Sequence, residues 1–446
     1  MALSPHSDTL AIILAAGLGT RMKSDMPKCL HEVGGQALVC HALSAAMAVS
    51  GDRAVVVGPD MPKLEKAVRE FDPEAVSVVQ HDRLGTGHAA QIGLASARPH
   101  HTIVIVTFGD TPFVQAETIE RAILEVRNGA NVAVLGFRAE DPTGYGRLLV
   151  ENGRLVAIRE EAVASETERE VSFCNSGVMA FNAETLKEIL PKIENSNPKG
   201  EFYLTDAVEI ANAMGGNAVA VEGEESEFIG INSKRHLAQA EAIFQSKRRD
   251  ELMDAGVTMV APETVFLAAD TVFGRDCVIE PHCVFGRGVR VGDRCHIKAF
   301  SHLEEAVLEN DITIGPYARL RPKAHLKSGA RVGNFVEIKA STLHEGAKAN
   351  HLSYIGDADV GPAANIGAGT ITCNYDGFVK SKTIIGAGAF IGSNSALVAP
   401  VEIGEKAIVA AGSAISKDVG DNALAFGRAK QSDDKLGKGM GSKSKP

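Results

Sequence analysis

The chain has 446 residues, of which 45% are hydrophobic and 23% are charged, so it has the composition of a globular protein with about two to four domains. Its 56 acidic and 46 basic residues give a formal net charge of -10. This charge disfavours a dedicated nucleic-acid binder, because such a protein needs a basic surface to displace phosphate counterions.

In the first half, short Val-, Ile- and Leu-rich segments alternate with helical patterns. Strands are predicted at 10–16, 53–57, 76–80 and 102–107, and helices at 37–48, 63–71 and 88–97. Nearly continuous apolar strands separated by helices indicate a parallel sheet that is covered on both faces. Ligands of such sheets bind at the carboxyl ends of the strands, so the chemistry is expected there.

Residues 233–255 lack Gly and Pro and are rich in Ala, Glu, Gln, Lys and Arg, which predicts a long connector helix. We therefore expect one domain at 1–232 and a second at 256–446. The last residues, 432–446, are mostly Lys, Gly, Ser and Asp, and are predicted to form a mobile tail.

A six-residue period follows Gly256. Apolar residues recur at Phe273, Ile279, Phe285, Val291, Ile297 and Leu303, and the period returns over 308–332 and 385–415. This period is typical of hexapeptide-repeat β-helices, in which three hexads make one triangular coil with the apolar residue inside. The alternative, a Gly-rich β-sandwich, does not account for hexads in phase. The long break at 333–359 predicts a loop outside the prism.

Residues 14–22, Leu-Ala-Ala-Gly-Leu-Gly-Thr-Arg-Met, leave a predicted strand and enter a glycine-bearing loop. Such a loop lets backbone N–H groups approach phosphate oxygens, and Arg21 and Lys28 add cations. The segment is neither a dinucleotide fingerprint nor a Walker loop, and glycines alone would more often mark a structural turn. With Pro27-Lys28 downstream, it resembles the signature of sugar-1-phosphate nucleotidyltransferases.

From 10 to 428 the chain resembles the bifunctional N-acetylglucosamine-1-phosphate uridyltransferase/glucosamine-1-phosphate N-acetyltransferase family. The resemblance implies an α/β fold, with an N-terminal Rossmann-like nucleotidyltransferase domain followed by a C-terminal left-handed parallel β-helix of hexapeptide repeats. It implies acetyl transfer from acetyl-CoA to glucosamine-1-phosphate, then Mg²⁺-dependent uridyl transfer from UTP to N-acetylglucosamine-1-phosphate. The product, UDP-N-acetylglucosamine, is the precursor of bacterial wall and lipopolysaccharide. The family forms homotrimers through its β-helices, with acetyl-transfer sites at subunit interfaces.

The resemblance also implies the residues of the uridyl-transfer site. Contacts with UTP and UDP-N-acetylglucosamine fall on Leu14, Ala15, Ala16, Gly17, Lys28, Gln80, Gly85, Thr86, Gly146, Glu160, Asn175 and Asn232. Of these, Gln80, Gly85 and Thr86 meet the uracil, and Gly146, Glu160 and Asn175 meet the sugar. Arg21 and Lys28 are the catalytic cations, and Asp110 and Asn232 are the Mg²⁺ ligands. Asp110 ends a predicted strand, where its alternative role is a helix cap, and Phe108 stands where the family often has Tyr.

For acetyl transfer, His351 matches the general base. Glucosamine-1-phosphate contacts fall on Arg321, Lys339, Tyr354, Asn365 and Lys380, and acetyl-CoA contacts on Ala368, Asn374, Tyr375, Ser393, Ala411 and Arg428. A base is needed because a sugar amine similar to an α-amino group, with a pKa of about 7.7–8.0, is largely protonated at neutral pH. An unperturbed histidine, with a pKa of about 6.5, can accept that proton. Ser393 or a backbone N–H is a candidate for stabilising the oxyanion.

Two alternatives stay open. In one, the β-helix is a regulatory or oligomerising module attached to a nucleotidyltransferase. In the other, it is a zinc enzyme of the γ-carbonic anhydrase kind, which needs three histidines; His344 and His351 are near in sequence but no third partner is evident. The expected partners are small-molecule substrates, with no nucleic acid and no membrane. The N-terminus lacks a secretory signal, no apolar run is long enough to span a bilayer, and the seven cysteines include no Cys-x-x-Cys pair, which together predict a cytoplasmic protein.

Overall fold

The computed structural model describes residues 3–431, and the chain divides into two compact units between Phe244 and Gln245. The division falls inside a long helix, Lys234–Asp254, at the position where the sequence predicts a connector. The predicted tail at 432–446 lies outside the described residues. Between residues 3 and 431, none of the helices combines the length and apolarity needed to cross a bilayer.

The first unit is built on a mixed, twisted sheet. Its strands, together with the small ribbon β2–β3, are β1 (His6–Leu14), β2 (Glu32–Val33), β3 (Gln36–Ala37), β4 (Ser50–Val57), β5 (Val76–Val79), β6 (Ile103–Phe108), β7 (Val132–Arg138), β8 (Arg147–Glu151), β9 (Arg154–Arg159), β10 (Phe173–Asn182) and β11 (Ala218–Glu222). The main sheet has the order β11-β7-β10-β6-β1-β4-β5, with the hairpin β8–β9 attached to β10.

Helices cover both faces of this sheet. The helices within residues 3–431 are α1 (Leu38–Val49), α2 (Pro62–Phe71), α3 (Thr86–Leu94), α4 (Ala116–Arg127), α5 (Glu166–Arg169), α6 (Ala183–Ile189), α7 (Ala207–Ala213) and α8 (Lys234–Asp254). Short 3-10 turns occur at Thr20–Met22, Lys28–Leu30, Leu190–Lys192, Leu204–Asp206, Glu225–Phe228 and Pro262–Thr264. Side chains of α1 and α4 share one core cluster with Ile13, and those of α3, α6 and α7 share another with Ile12.

The four strands predicted from the sequence are present, and β5, β4, β1 and β6 run parallel as expected. Their apolar runs are continuous because helices bury both faces. The sheet is nevertheless mixed, since β10 runs antiparallel to β6 and β7. Because β1 lies between β4 and β6, the carboxyl ends of these strands meet at one edge, where the loop after Leu14 begins.

The second unit is a parallel β-helix with three sheets. Sheet 1 contains Thr258–Met259, Val278–Ile279, His296–Ile297, Thr313–Ile314, Arg331–Asn334, Lys348–His351, Asn365–Ile366, Phe390–Ile391, Ile408–Val409 and Leu424–Ala425; sheet 2 contains Phe266–Leu267, Val284–Phe285, His302–Leu303, Arg319–Leu320, Glu337–Lys339, Tyr354–Gly356, Ile371–Cys373, Ala396–Val398 and Ala414–Ile415; sheet 3 contains Val272–Phe273, Arg290–Val291, Ala306–Leu308, Ala324–Leu326, Thr342–Leu343, Ala358–Val360, Thr383–Ile385 and Val401–Ile403. Successive coils pair in parallel, as predicted for a left-handed β-helix of hexapeptide repeats, and the β-sandwich alternative is wrong.

The apolar residues of the hexads fill the prism, as the period predicts. The predicted loop at 333–359 is wrong, because that segment continues the regular coils. Its inward residues are Ile338, Leu343, Ala349 and Ile355, each with no exposed surface. The six-residue period is hard to recognise here because Ala349 is small and because the step from Ile338 to Leu343 is five residues long rather than six.

The real excursion from the coils lies between the strands Ile371–Cys373 and Thr383–Ile385. It contains Asn374, Tyr375 and Lys380, and its Phe378 side chain is 92% exposed. Tyr375 and Lys380 therefore lie in a projecting segment, whereas Asn374 at its start is buried.

Candidate active sites

The loop of residues 15–19 lies at the sheet edge where three parallel strands end. The Ala15 N–H donates to the Val56 carbonyl at 2.8 Å, which ties the loop to the end of β4. The Gly109 N–H donates to the Leu14 carbonyl at 3.0 Å, which ties the end of β1 to the segment after β6. Asp110 is thereby held beside the glycine-bearing loop.

Four charged or amide side chains from distant parts of the first unit meet at this edge. The ammonium group of Lys28 forms an ion pair with the Asp110 carboxylate and donates to Oδ1 of Asn232 at 3.1 Å. Arg21 donates to the same Oδ1 at 2.9 Å. Asp110 and Asn232 thus present two oxygen atoms to one cation. Carboxylate and amide oxygens are ligands that Mg²⁺ accepts, so this pair fits the predicted metal site.

A cavity of about 290 Å³ opens beside this cluster. Its walls include most of the nucleotide residues predicted from the sequence, namely Leu14, Ala15, Ala16, Gly17, Lys28, Gln80, Gly85 and Thr86, and also the predicted metal ligand Asp110. Sequence analysis missed Cys29, Arg83 and Glu201, which also line it. Burial, with the Asp110 carboxylate nearby, raises the pKa of the Cys29 thiol to about 12, so this thiol stays protonated in the site.

The predicted uracil residues form one hydrogen-bonded corner of the cavity. The buried Gln80 amide donates to the Gly85 carbonyl at 3.3 Å and to Nδ1 of His88 at 3.1 Å. Gly85 has φ of 111°, and a Cβ atom there would lie 2.6 Å from the Phe202 carbonyl oxygen. Only glycine fits this position, which directly precedes the start of α3 at Thr86.

The predicted sugar residues lie together where β8 meets β10. The Asn175 N–H donates to the Gly146 carbonyl at 2.8 Å, and a Cβ atom on Gly146 would be 3.6 Å from the Glu160 carboxylate. The neighbouring Glu161 is paired with the buried Arg147 at 2.7 Å, and this hydrogen bond holds the pKa of the Glu161 carboxyl below its ordinary value. Glu160 is therefore the carboxylate that faces Gly146.

Phe108 connects the predicted sugar-binding residues with the cavity. Its ring lines the cavity and packs on Gly177, where a Cβ atom would lie 2.4 Å from the ring. The Gly177 N–H donates to Oδ1 of Asn175 at 2.9 Å. Phe108 thus provides an apolar surface without a polar contact.

In the second unit, His351 ends a strand of sheet 1. Its Nδ1 is hydrogen-bonded to Oδ1 of Asn334 at 2.7 Å, and the two residues are paired in register on neighbouring coils. Both line a cavity of about 550 Å³ on this face, together with His296, Lys298, Thr313, Gly315, Pro316, Arg331, Val332, Gly333 and Asn350. An amide oxygen can only accept, so in the neutral ring Nδ1 carries the proton and Nε2 has the free lone pair.

The residues predicted to hold glucosamine-1-phosphate are divided between sheets. Tyr354 and Lys339 lie on sheet 2, and Arg321 directly follows a strand of that sheet, whereas Asn365 lies with His351 on sheet 1. Lys380 lies in the excursion and pairs through its backbone with Tyr375. Within residues 3–431, no hydrogen bond joins His351 to any of these five.

Carboxylates accompany the cations of sheet 2. Arg321 donates to Glu337 at 2.8 Å, and the Lys339 ammonium lies 3.7 Å from Asp357. The Asn374 amide also donates to Asp357, which links the excursion to the coil below it. The Glu337 contact raises the pKa of the Arg321 guanidinium above its ordinary value.

The predicted acetyl-CoA residues form a column on successive coils. The Asn394 N–H donates to the Ala368 carbonyl at 2.7 Å, and the Gly412 N–H donates to the Ser393 carbonyl at 2.8 Å. Arg428 donates to the Ala411 carbonyl at 2.8 Å, one coil further along. Ala368, Ser393, Ala411 and Arg428 thus lie one above another on successive coils.

Sequence analysis missed Asn334, Glu337 and Asp357, although the coil spacing could have found two of them. Asn334 precedes His351 by 17 residues, and Asp357 precedes Asn374 by 17. One coil is about that long, so both pairs are neighbours across the prism.

The zinc alternative gains no support. His344 is paired with Asp359 at 2.8 Å on sheet 3. Over the part of the chain that the structure describes, the one group of three metal-capable side chains consists of Asp52, His100 and His101 in the first unit.

Comparison with known proteins covers both units. Residues 11–172 match the model of the MobA-like NTP transferase domain, residues 270–304 match the bacterial transferase hexapeptide (six repeats), and residues 382–417 match the hexapeptide repeat of succinyl-transferase. The chain is 54% identical to the bifunctional protein GlmU of Azorhizobium caulinodans over 423 residues, which is 95% of this chain and 94% of the relative. It is also 53% identical to the bifunctional protein GlmU of Bradyrhizobium sp. (strain ORS 278) over 424 residues, which is 95% of this chain and 95% of the relative. This chain belongs to the family of bifunctional GlmU proteins.

Proposed function

We propose that this protein makes UDP-N-acetylglucosamine, the precursor of bacterial wall and lipopolysaccharide, in two steps. The second unit transfers an acetyl group from acetyl-CoA to glucosamine-1-phosphate. The first unit then transfers uridyl from UTP to N-acetylglucosamine-1-phosphate and releases pyrophosphate. The observation that carries a two-step function rather than a single one is the His351–Asn334 pair, because a regulatory β-helix needs no oriented base.

In uridyl transfer, a phosphate oxygen of the sugar phosphate attacks the α-phosphorus of UTP in line. The bond from that phosphorus to the bridging oxygen breaks, and pyrophosphate leaves with the electron pair, so no covalent enzyme intermediate is needed. The work of the protein is to align two anions and to offset their repulsion. Arg21 and Lys28 supply the positive charge, and residues 16–19 of the loop supply backbone N–H groups.

Asp110 and Asn232 are the residues that would hold Mg²⁺. Their two oxygens converge on the Lys28 ammonium, and oxygen donors of this kind are the ones that a hard divalent cation prefers. When bound, the ion supplies charge neutralisation between phosphate groups. Lys28 lies in the same cluster, so these two ligands and the catalytic cation act on one region of the triphosphate.

In acetyl transfer, Asn334 holds the His351 ring with its Nδ1 proton engaged. Nε2 of His351 accepts a proton from the sugar amine while the amine nitrogen attacks the thioester carbonyl. The carbon–sulfur bond then breaks, and the coenzyme A thiolate takes up the proton that His351 received. Ser393, in the predicted coenzyme column, or a backbone N–H stabilises the oxyanion.

The division of the acceptor residues between sheets favours a site completed by a second copy of the chain. His351 lies on sheet 1, while Tyr354, Lys339 and Arg321 belong to sheet 2, and no hydrogen bond connects the two groups within residues 3–431. In such a site, sheet 1 of one chain would face sheet 2 of the next within the predicted homotrimer.

Subunit mixing tests this arrangement. His351→Ala and Lys339→Ala variants, each inactive in acetyl transfer, are dissociated, mixed and reassembled. Recovered thiol release from acetyl-CoA shows that a site draws on two chains, and no recovery in a mixed trimer shows that each chain holds its own site.

Thiol release also tests the proposed function. Purified protein that releases free thiol from acetyl-CoA only when glucosamine-1-phosphate is present has the second activity. No thiol release under any mixture would reduce the β-helix to an assembly module.

A further inference from the structure

We propose that Arg83 is a positioning residue for uridyl transfer: it fastens loop 15–19 to loop 81–85 and thereby sets the affinity of the first unit for the triphosphate. The inference rests on the proposed uridyl transfer. Arg83 belongs to none of the sequence motifs, but in the structure its side chain forms part of the cavity wall.

The contact itself is short and well directed. Nε of Arg83 donates to the Ala16 carbonyl at 2.7 Å, across 67 residues of chain. Ala16 belongs to the loop expected to approach the phosphates, and Gly85 and Thr86, two and three residues beyond Arg83, belong to the corner expected to hold uracil. One guanidinium therefore joins the two loops that must hold opposite ends of the same nucleotide.

Gly58 provides the space for this guanidinium. It is buried directly after β4, and a Cβ atom on it would lie 2.1 Å from a terminal nitrogen of Arg83. The three atoms nearest to that Cβ all belong to Arg83. A methyl group at this position would thus displace the guanidinium.

The charge of Arg83 is available to a ligand. Among residues 3–431, no carboxylate lies within ion-pair distance of its guanidinium, although its side chain is only partly exposed. It shares the cavity with Lys28, whose charge is balanced by Asp110. A guanidinium offers five N–H donors and Ala16 takes one, so Arg83 can hold the loop while its positive charge stays beside the cavity.

The test compares Arg83→Met and Gly58→Ala with the wild type, and uses Arg69→Met, an exposed arginine on α2, as the matched control. We expect both test variants to raise the KM for UTP about tenfold, with kcat within about threefold of the wild type. Affinity for UTP, measured by calorimetry, should fall about as much, whereas affinity for uridine should change by less than about twofold, because the lost contact acts on the phosphate loop. Acetyl transfer by the same chains reports correct folding.

Three outcomes would overturn the inference: an unchanged KM for UTP in both variants, an equal loss of affinity for uridine and UTP, or an equal effect of Arg69→Met. A wild type that releases no pyrophosphate contradicts the proposed function itself, and is thereby distinguished from a failure of Arg83 alone. If Gly58→Ala also loses acetyl transfer, that variant is misfolded, and the result for Arg83→Met alone decides whether the inference holds.

Discussion

The guanidinium of Arg21 donates to Oδ1 of Asn232 at 2.9 Å, although 211 residues separate the two. Arg21 follows the first strand of the sheet, and Asn232 stands just before the long helix α8. The first unit must therefore fold from end to end before its charged cluster exists. Lys28 donates to the same Oδ1 at 3.1 Å, so two cations share one amide.

Lys28→Ala should lower uridyl transfer by about 10²–10³-fold, because a positioned donor is lost from the region where charge is redistributed. Its cost in stability should be smaller, about 1–2 kcal/mol: the side chains of Lys28 and Asp110 are only 14% and 17% exposed, but they border a cavity through which water can reach the carboxylate that remains. Steady-state kinetics and thermal melting measure the two effects. Lys66→Ala, which removes an exposed lysine paired with Glu70, is the matched control. Unchanged uridyl transfer in Lys28→Ala would remove Lys28 from the mechanism.

Chelation of divalent metal should abolish uridyl transfer and leave acetyl transfer unchanged, because the candidate metal ligands lie only in the first unit. Asp110→Asn keeps the shape of the side chain but removes its charge, and should raise the Mg²⁺ concentration needed for half-maximal activity by at least about tenfold. Titration with Mg²⁺, and Mn²⁺ binding followed by electron paramagnetic resonance, report this directly. Equal metal dependence of both activities would contradict the assignment.

His351→Ala should lower acetyl transfer by about 10²–10⁴-fold, the usual contribution of a general base. Asn334→Ala should have a smaller effect, about tenfold to a hundredfold, because the ring keeps its base but loses its orientation. Uridyl transfer should persist in both variants, which a separate pyrophosphate assay checks. Loss of both activities together would indicate misfolding rather than a catalytic role.

Asp206 should make stability depend on pH in an unusual direction. Burial, with Glu209 and Glu160 nearby, raises the pKa of Asp206 above its ordinary value of 3.8. The folded state thus binds the proton more tightly than the unfolded state, so the contribution of this carboxyl is fully present below pH 3.8 and is lost as pH rises through the folded pKa. Asp206→Asn should therefore melt higher than the wild type at pH 7, with the difference shrinking toward pH 4. A lower melting temperature at pH 7 would show that the carboxylate is stabilising.

Much of the fold was predictable because each unit repeats one physical constraint. Strands buried on both faces are continuously apolar, and inward residues of the β-helix recur every six positions. The direction of β10 was not predictable, because a strand buried on both faces has the same composition whichever way it runs. The coils at 333–359 were missed because the small Ala349 fills an inward position that larger residues fill elsewhere.

Site residues could be predicted from the sequence where they belong to a motif. They could not be predicted where they act through contacts with distant segments of the chain. Arg21 and Lys28 lie within one motif, and the structure brings them to Asp110 and Asn232. Arg83 and Asn334 act through partners 67 and 17 residues away, and neither occurs in a motif. Their roles depend on the register of a loop or a coil, which only three-dimensional structure defines.

The most direct test of two successive activities is a drop-out assay on purified protein. Glucosamine-1-phosphate, acetyl-CoA, UTP and Mg²⁺ are supplied together and then omitted one at a time, while free thiol and pyrophosphate are followed separately. The account predicts thiol release without UTP, and pyrophosphate release that requires either acetyl-CoA or added N-acetylglucosamine-1-phosphate. Pyrophosphate from N-acetylglucosamine-1-phosphate with no thiol release in any mixture would contradict the account, and the role of His351 would fall with it.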